Sequence, residues 1–144
     1  MTIIPRDPLA LPPPERREAA LALLKALRPS ADEIEVKVSE MPIFFDATGH
    51  FENLFCPFCA KTLEISWWHE KMDAWWNGDR RILTVATPCC DGATSLNELD
   101  YGCEQGFACF GIELMNPNGD LEPSEVRQIE EVLGVPVRVI WSHI

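Results

Sequence analysis

Two short stretches of this sequence carry residues whose type and spacing suit metal chemistry. In Phe55-Cys56-Pro57-Phe58-Cys59-Ala60-Lys61, two cysteines are separated by two residues. A turn across such a spacing aims backbone N–H groups at both sulfurs and lowers the cost of their negative charge, so both can bind one ion. One such pair is half of a tetrahedral site. Pro88-Cys89-Cys90-Asp91-Gly92 offers the other half on a separate element. Adjacent side chains point to opposite sides of a regular strand, so Cys89 and Cys90 can share an ion only if Cys90 lies in a turn, and Asp91-Gly92 supplies the turn chemistry. Cys56, Cys59, Cys89 and Cys90 are therefore the candidate metal ligands. Four protein sulfurs would close the coordination shell and leave no position for water, which makes the ion a structural staple rather than a catalyst. Should Cys89 or Cys90 point away, the alternatives are His50 or His69 as the replacement ligand, or an open site. A redox reading of Cys56-Pro57-Phe58-Cys59 is weaker, because that chemistry wants a helix opening at the motif, and Lys61–Ser66 reads as a strand.

The other reactive residue types are scattered. Cys109 lies in an apolar stretch and reads as core packing. Cys103 follows Tyr101-Gly102 in a loop where a thiol could react, but no nearby His, Asn or Asp signature supports a nucleophile. His50, His69 and His143 stand apart, and no catalytic residue is singled out. The carboxylates Glu70, Asp73, Asp79, Asp91, Glu98 and Asp100 gather in the middle third of the chain and read as a solvated face. Four of the five tryptophans fall within residues 67–76. On a helix Trp68, Met72 and Trp75 share one face, while Trp67 and Trp76 lie to its sides. One face can enter a core. Trp67, Trp68, Trp75 and Trp76 are the candidate protein interface, set against the plainer reading that the indoles roof the metal lobe.

The elements that must position these residues follow from periodicity. Residues 1–14 read as an extended, proline-rich lead-in. Glu15–Leu27 is a helix with an apolar stripe of Ala19, Ala20, Leu23, Leu24 and Leu27, stopped by Pro29. Glu33–Ser39 alternates as a half-buried strand with Ile34, Val36 and Val38 on one face. Pro42–His50 reads as a second short strand and turn, Trp67–Trp76 as a helix ended by Asn77-Gly78, and Ile82–Thr87 as a buried strand. Ser95-Leu96-Asn97-Glu98 has capping-box spacing. Phe107–Met115 is the longest strand candidate, followed by an Asn116-Pro117-Asn118-Gly119 turn. Pro123–Leu133 is a helix with Gly134 just past its end, and Val135–Trp141 alternates into a last strand. Helix 15–27 with strand 33–39 echoes helix 123–133 with strand 135–141, a hint of pseudo-symmetry. The expectation is an α+β fold: one domain over 15–144, a mostly antiparallel sheet flanked by helices from the two halves of the chain, and an inserted metal lobe at about residues 50–92.

The composition narrows the function. The 144 residues hold 12 basic and 23 acidic side chains, a formal net charge of −11. Nucleic acid and anionic membranes both ask for Lys and Arg, so neither is an expected partner. A closed set of four thiolates with one divalent cation would deepen the acidity further. Prolines 5, 8, 12, 13 and 14 interrupt any apolar run near the start, so neither a signal peptide nor a membrane span is read, and a cytoplasmic location is expected. In that reducing compartment cysteines are read as ligands or buried thiols before disulfides.

The Cys-Pro-x-Cys, the tryptophan-rich stretch and the Cys-Cys pair together resemble a zinc ribbon or knuckle, and the four-ligand set is similar to that of a small zinc-bundle subunit of RNA polymerase. Pro88–Leu99, Gly106–Phe110 and Leu133–Arg138 resemble a bacterial zinc-ribbon-like family whose role is uncharacterised. The resemblance spans roughly residues 50–143 and implies Zn2+ as cofactor. The transporter-ATPase label that some of its members carry finds no phosphate-binding G-x-x-x-x-G-K-[ST] loop here. Ala60 stands where ribbons commonly have glycine, which puts a left-handed residue there in question. The expected function is a zinc-binding cytoplasmic module for a protein partner. One alternative is a small-molecule enzyme with a pocket between the Trp helix and loop 95–106, using Cys103, His69 or the nearby carboxylates. The other is an acidic immunity or inhibitor protein.

Overall fold

Proline at position 5 does not keep the start of the chain out of the sheet. In the computed structural model, which describes residues 1–47 and 53–141, Thr2–Pro5 forms strand β1. Pro5 is tolerated because it ends the strand, and Arg6 N–H takes up the pairing with the Pro136 carbonyl at 3.0 Å. The lead-in is thus only the segment after β1. It delivers the chain to helix α1, Pro14–Leu27, with proline in its first turn as helix starts prefer. Strand β2 spans Glu33–Phe45 and absorbs both strands expected there. Pro42 cannot donate to a ladder, and the register shifts by a bulge between Val38 and Ile43. The Gly49-His50 turn lies outside the described residues, as does His143.

An inserted lobe follows. Strands β3 (Leu54–Phe55) and β4 (Thr62–Leu63) form a short hairpin. Helix α2 covers Ile65–Asn77, beginning where a strand through Ser66 was expected. Strands β5 (Thr84–Ala86) and β6 (Ala93–Ser95) make a second hairpin. The expected buried strand 82–87 is shorter and less covered than its apolar run implies: Ile82 is 59% exposed. Ser95 caps only a 3-10 turn over Leu96–Glu98, accepting from Asn97 N–H, while Glu98 faces Arg138 instead of reaching back as a capping box would.

The chain then re-enters the main sheet as β7, Gly106–Met115, crosses as helix α3, Pro123–Leu133, and ends its described part in β8, Val137–Ile140. The main sheet has the order β2-β7-β1-β8 with every neighbouring pair antiparallel. Consequently β1 and β2 run parallel with β7 between them, and β7 and β8 run parallel with β1 between them. The helix-strand echo in the sequence is therefore two interleaved split β-α-β units, the ferredoxin-like arrangement. The lobe is inserted in the connection between the two units.

One face of the sheet carries Ile3, Phe110, Ile112, Leu114 and Val137 against Ala20 and Leu24 of α1 and Ile129 and Leu133 of α3. The helices are joined at both ends by arginines of α1 and its flank. Arg16 donates to the Val132 carbonyl at the end of α3 (3.3 Å). Arg28 makes a two-pronged contact with Glu125 in the first turn of α3, both distances 3.0 Å, and also donates to the Asp120 carbonyl. The lobe has its own core of Leu54, Leu63, Trp68, Trp75, Leu83, Leu96, Leu99 and Tyr101, and reaches the sheet through Phe107 and Phe44. Arg138 of β8, only 7% exposed, clamps the returning segment: its guanidinium donates to the carbonyls of Asn97 (3.3 Å) and Gln105 (2.6 Å), with Glu98 and Glu104 at 3.7 and 3.6 Å. Gly106 is required beside it, because a Cβ there would stand 2.6 Å from Asn97 Oδ1.

The Arg28–Glu125 contact carries a pH signature. Its hydrogen bonds to Arg28 and to the Glu122 N–H, working against partial burial, hold the Glu125 carboxyl below the usual glutamate range. A depressed folded-state value contributes stability above the unfolded value and loses it as pH falls through the folded one. Glu125→Gln should therefore cost about 1–2 kcal/mol in urea unfolding at neutral pH, and the difference from the unsubstituted protein should shrink toward zero in acid, below both values. A difference independent of pH would contradict this account.

Candidate metal centre

The two lobe hairpins are built alike. Each ends in a six-residue loop that opens with x-Pro-x-Cys: Cys56-Pro57-Phe58-Cys59-Ala60-Lys61 between β3 and β4, and Thr87-Pro88-Cys89-Cys90-Asp91-Gly92 between β5 and β6. Their backbone hydrogen bonds match one for one. Cys56 N–H donates to the Lys61 carbonyl (2.9 Å) and Ala60 N–H to the Cys56 carbonyl (3.0 Å); Thr87 N–H donates to the Gly92 carbonyl (3.0 Å) and Asp91 N–H to the Thr87 carbonyl (2.8 Å). The fifth residue is left-handed in both, at φ 62° for Ala60 and 55° for Asp91. Alanine thus adopts the conformation that glycine takes without strain, and the departure at Ala60 does not move the knuckle.

Within this shared frame the chemistry differs at two places. Position one is Cys56 in the first loop and Thr87 in the second; position three is Phe58 in the first and Cys89 in the second. The second loop therefore replaces its leading cysteine with a hydroxyl and recovers the fourth sulfur two residues later. Thr87, 1% exposed, accepts from Gly92 N–H at 3.1 Å, much as the Cys56 sulfur accepts from Phe58 N–H at 3.4 Å, and its Oγ1 lies 3.3 Å from Cys90 Sγ. Cys90 sits in the turn, which resolves the problem that adjacent cysteines pose in a strand.

The four sulfurs converge. Cys56 Sγ is 3.7 Å from Cys90 Sγ, Cys59 Sγ is 3.4 Å from Cys89 Sγ, and Cys89 and Cys90 are 3.9 Å apart. All four lie within 4.8 Å of one another, so Cys56, Cys59, Cys89 and Cys90 are close enough to bind a metal ion. Four sulfurs arranged tetrahedrally around an ion at about 2.3 Å would stand about 3.8 Å apart, and three of the separations here lie between 3.4 and 3.9 Å. Cys56 is buried, Cys89 is half-buried, and Cys59 and Cys90 are exposed.

The electrostatics of the cluster treat its sulfurs unequally. Burial opposes the charge on Cys56, but the N–H groups of Cys59 and Phe58 and the side chains of Cys89 and Thr87 pull its thiol down to about 6. Burial and the neighbouring sulfurs of Cys59, Cys56 and Cys90 push the Cys89 thiol up to about 12. The protein scaffold by itself thus favours a thiolate at Cys56 and opposes one at Cys89. A cation among the sulfurs removes that conflict, because each thiolate then faces a positive charge.

Of the aromatic candidates, Trp68 and Trp75 belong to the lobe core, at 8% and 6% exposure, Trp67 is half-buried, and Trp76 is 56% exposed with Arg80 4.0 Å above its ring. The core indoles are satisfied: Trp68 Nε1 donates to Tyr101 Oη (3.1 Å), which donates to the Leu96 carbonyl (2.6 Å), and Trp75 Nε1 donates to the Arg80 carbonyl (2.8 Å). A groove of about 410 Å3 runs between α2 and β5, lined by Lys71, Trp75, Asp79, Ile82 and Thr84 among others. Neither Cys103 nor His69 lines it, and His69 is no part of the sulfur cluster. Burial, with Glu104 beside it, pushes the Cys103 thiol up, away from reactivity. Cys109 is buried in β7, as expected of a packing residue.

The sequence reading missed Thr87. The repeated x-Pro-x-Cys held the signal, since aligning Pro57 with Pro88 puts Thr87 on Cys56.

Left-handed backbone at a non-glycine residue stores strain. Ala60→Gly should accordingly raise stability by about 0.5–1 kcal/mol in thermal unfolding of the metal-loaded protein, with metal stoichiometry unchanged. A lower melting temperature would show that the Ala60 side chain matters more than its backbone angle. In comparisons with known proteins, no family model, no curated protein and no solved structure matches this chain.

Proposed function

We propose that this protein is a zinc-stabilised interaction module, acting in the cytoplasm, that presents the outer side of its lobe to a protein partner. The convergence of four cysteine sulfurs from two facing knuckles carries this reading. An all-sulfur, four-coordinate donor set suits Zn2+, and with no position left for water the ion supplies folding energy rather than Lewis-acid chemistry. Zinc drawn from a reducing compartment fits six cysteines that are all free thiols. The partner side of the proposal rests on Trp76 and Ile82, both more than half exposed, beside the α2–β5 groove. The acidic balance speaks against nucleic acid and anionic membrane as partners, and no helix among the described residues is long and apolar enough to cross a membrane. Against the enzyme alternative stands the raised Cys103 thiol, which is not among the residues lining the groove.

Metal analysis of the purified chain should give about one zinc per molecule. Cys89→Ser should lose the metal and lower the melting temperature of the lobe. Thr87→Val should keep the stoichiometry but weaken zinc binding about 10–100-fold in competition with a chelator, because the hydroxyl that orients Cys90 is gone. A folded protein that carries no zinc and titrates four free thiols in this set would sink the proposal. For the partner surface, Trp76→Ala and Ile82→Ser should reduce capture of a partner without altering zinc content.

A further inference from the structure

β2 is an edge strand whose outward hydrogen-bonding groups can be identified. Leu114 N–H donates to the Met1 carbonyl at 2.8 Å, and the Met1 amine donates back to the Leu114 carbonyl at 3.1 Å. Leu114 is therefore turned toward β1, and by the alternation of an antiparallel ladder Glu113 and Gly111 are turned toward β2. Their partners there are Glu35 and Lys37. It follows that Ile34, Val36 and Val38 present their N–H and C=O groups to the open side, where no strand pairs with them among the described residues. Along this stretch the ladder is regular, it precedes the Pro42 bulge, and Val38 is 49% exposed, so the protection available is the charge of Glu35 and Lys37 on the face away from the helices.

The side chains of this edge are complementary to themselves. Glu35 stands directly opposite Glu113 in the register, a like-charge pairing that destabilises a sheet. Lys37 answers Glu113, with Nζ 3.3 Å from Oε2, and no ion pair to Glu35 occurs among the described residues. An antiparallel copy of β2 placed with a two-fold axis at Val36 sets each Glu35 opposite Lys37 of the other copy, and Ile34 opposite Val38. Moving the axis to Ile34 sets Glu33 opposite Glu35, and moving it to Val38 runs the pairing into the bulge. On the helix side a groove of about 270 Å3, lined by Pro14, Arg17, Glu18, Leu21 and Val36, leaves room beside the edge for the second copy's aliphatic side chains.

We propose that this chain forms a two-fold dimer through residues 34–38 of β2, joining two four-stranded sheets into one, with the reciprocal Glu35–Lys37 pairs fixing the register. Such an interface is isologous: one patch meets itself and closes. The dimer is independent of the metal centre, which lies in the inserted lobe.

Sedimentation equilibrium of the metal-loaded full chain at about 100 μM should give twice the 16.3 kDa chain mass. Glu35→Lys alone and Lys37→Glu alone should each raise the dimer dissociation constant at least about tenfold, through like charges meeting at both pairs, while circular dichroism stays unchanged. Mixing the two variants in equal amounts brings opposite charges together again and should restore the dimer. A monomer at that concentration, a dimer indifferent to both substitutions, or a mixture that stays monomeric would overturn the proposal. Should Lys37→Glu unfold through loss of its contact with Glu113, Glu35→Lys supplies the same single-variant test.

Discussion

The hydrogen-bonding of β7 on both of its edges is the constraint around which the molecule is organised. Nine of the ten positions of this strand, Gly106 to Leu114, are buried or nearly so. It receives β2 on one side and β1 on the other, and every other part of the main sheet is attached through one of those two. Both of its faces are spoken for, since Phe110, Ile112 and Leu114 meet the helices while Phe107 meets the lobe. Close covering is possible because the strand is small where something must approach: Gly111 lies under the ring of Phe45, where a Cβ would come within 2.8 Å. A strand paired on both edges and covered on both faces reads as a nearly continuous apolar run rather than an alternating one.

The lobe depends on this strand for its position and on its own sulfurs for its shape. Its hairpins have only two and three residues per strand, too short to hold themselves. Two things fasten them. One is the aromatic contact of Trp75 with Phe107 and of Trp68 with Phe44, at centroid distances of 5.0 and 5.9 Å. The other is the knuckle pair, whose four sulfurs lie close enough to share an ion. A site of this kind couples ligand ionisation, ion binding and local folding into one equilibrium.

Much of this could be read in the sequence, and what could not has definite causes. The three helices and the echo between the two helix-strand pairs were legible because each has a clear apolar period and helix 123–133 has proline and glycine punctuation at its ends. The cysteine quartet that the structure brings together was legible because the spacing within each of its two pairs is a local property. β1 was not, since four residues ending in proline give no periodic signal, and their strand character comes from tertiary pairing with residues far along the chain. The Ile82–Thr87 run misled for the opposite reason: its apolar composition promised full burial, but in a two-stranded hairpin one side remains open. Trp68 and Trp75 are core residues and Trp76 is not, a division that helical geometry anticipated in part by placing Trp68 and Trp75 on one face.

The enclosure of β1 sets an order of events in the life of the chain. Its contacts with β7 join residues as much as 113 positions apart, whereas the sulfurs of the two knuckles are separated by no more than 34. As the polypeptide emerges from a ribosome, the lobe has all its parts long before the sheet does. β1 must wait, unpaired, until β7 and β8 have been made. Contacts of such long sequence separation make folding slow, and they leave the lobe as the unit whose parts are complete before the sheet can close.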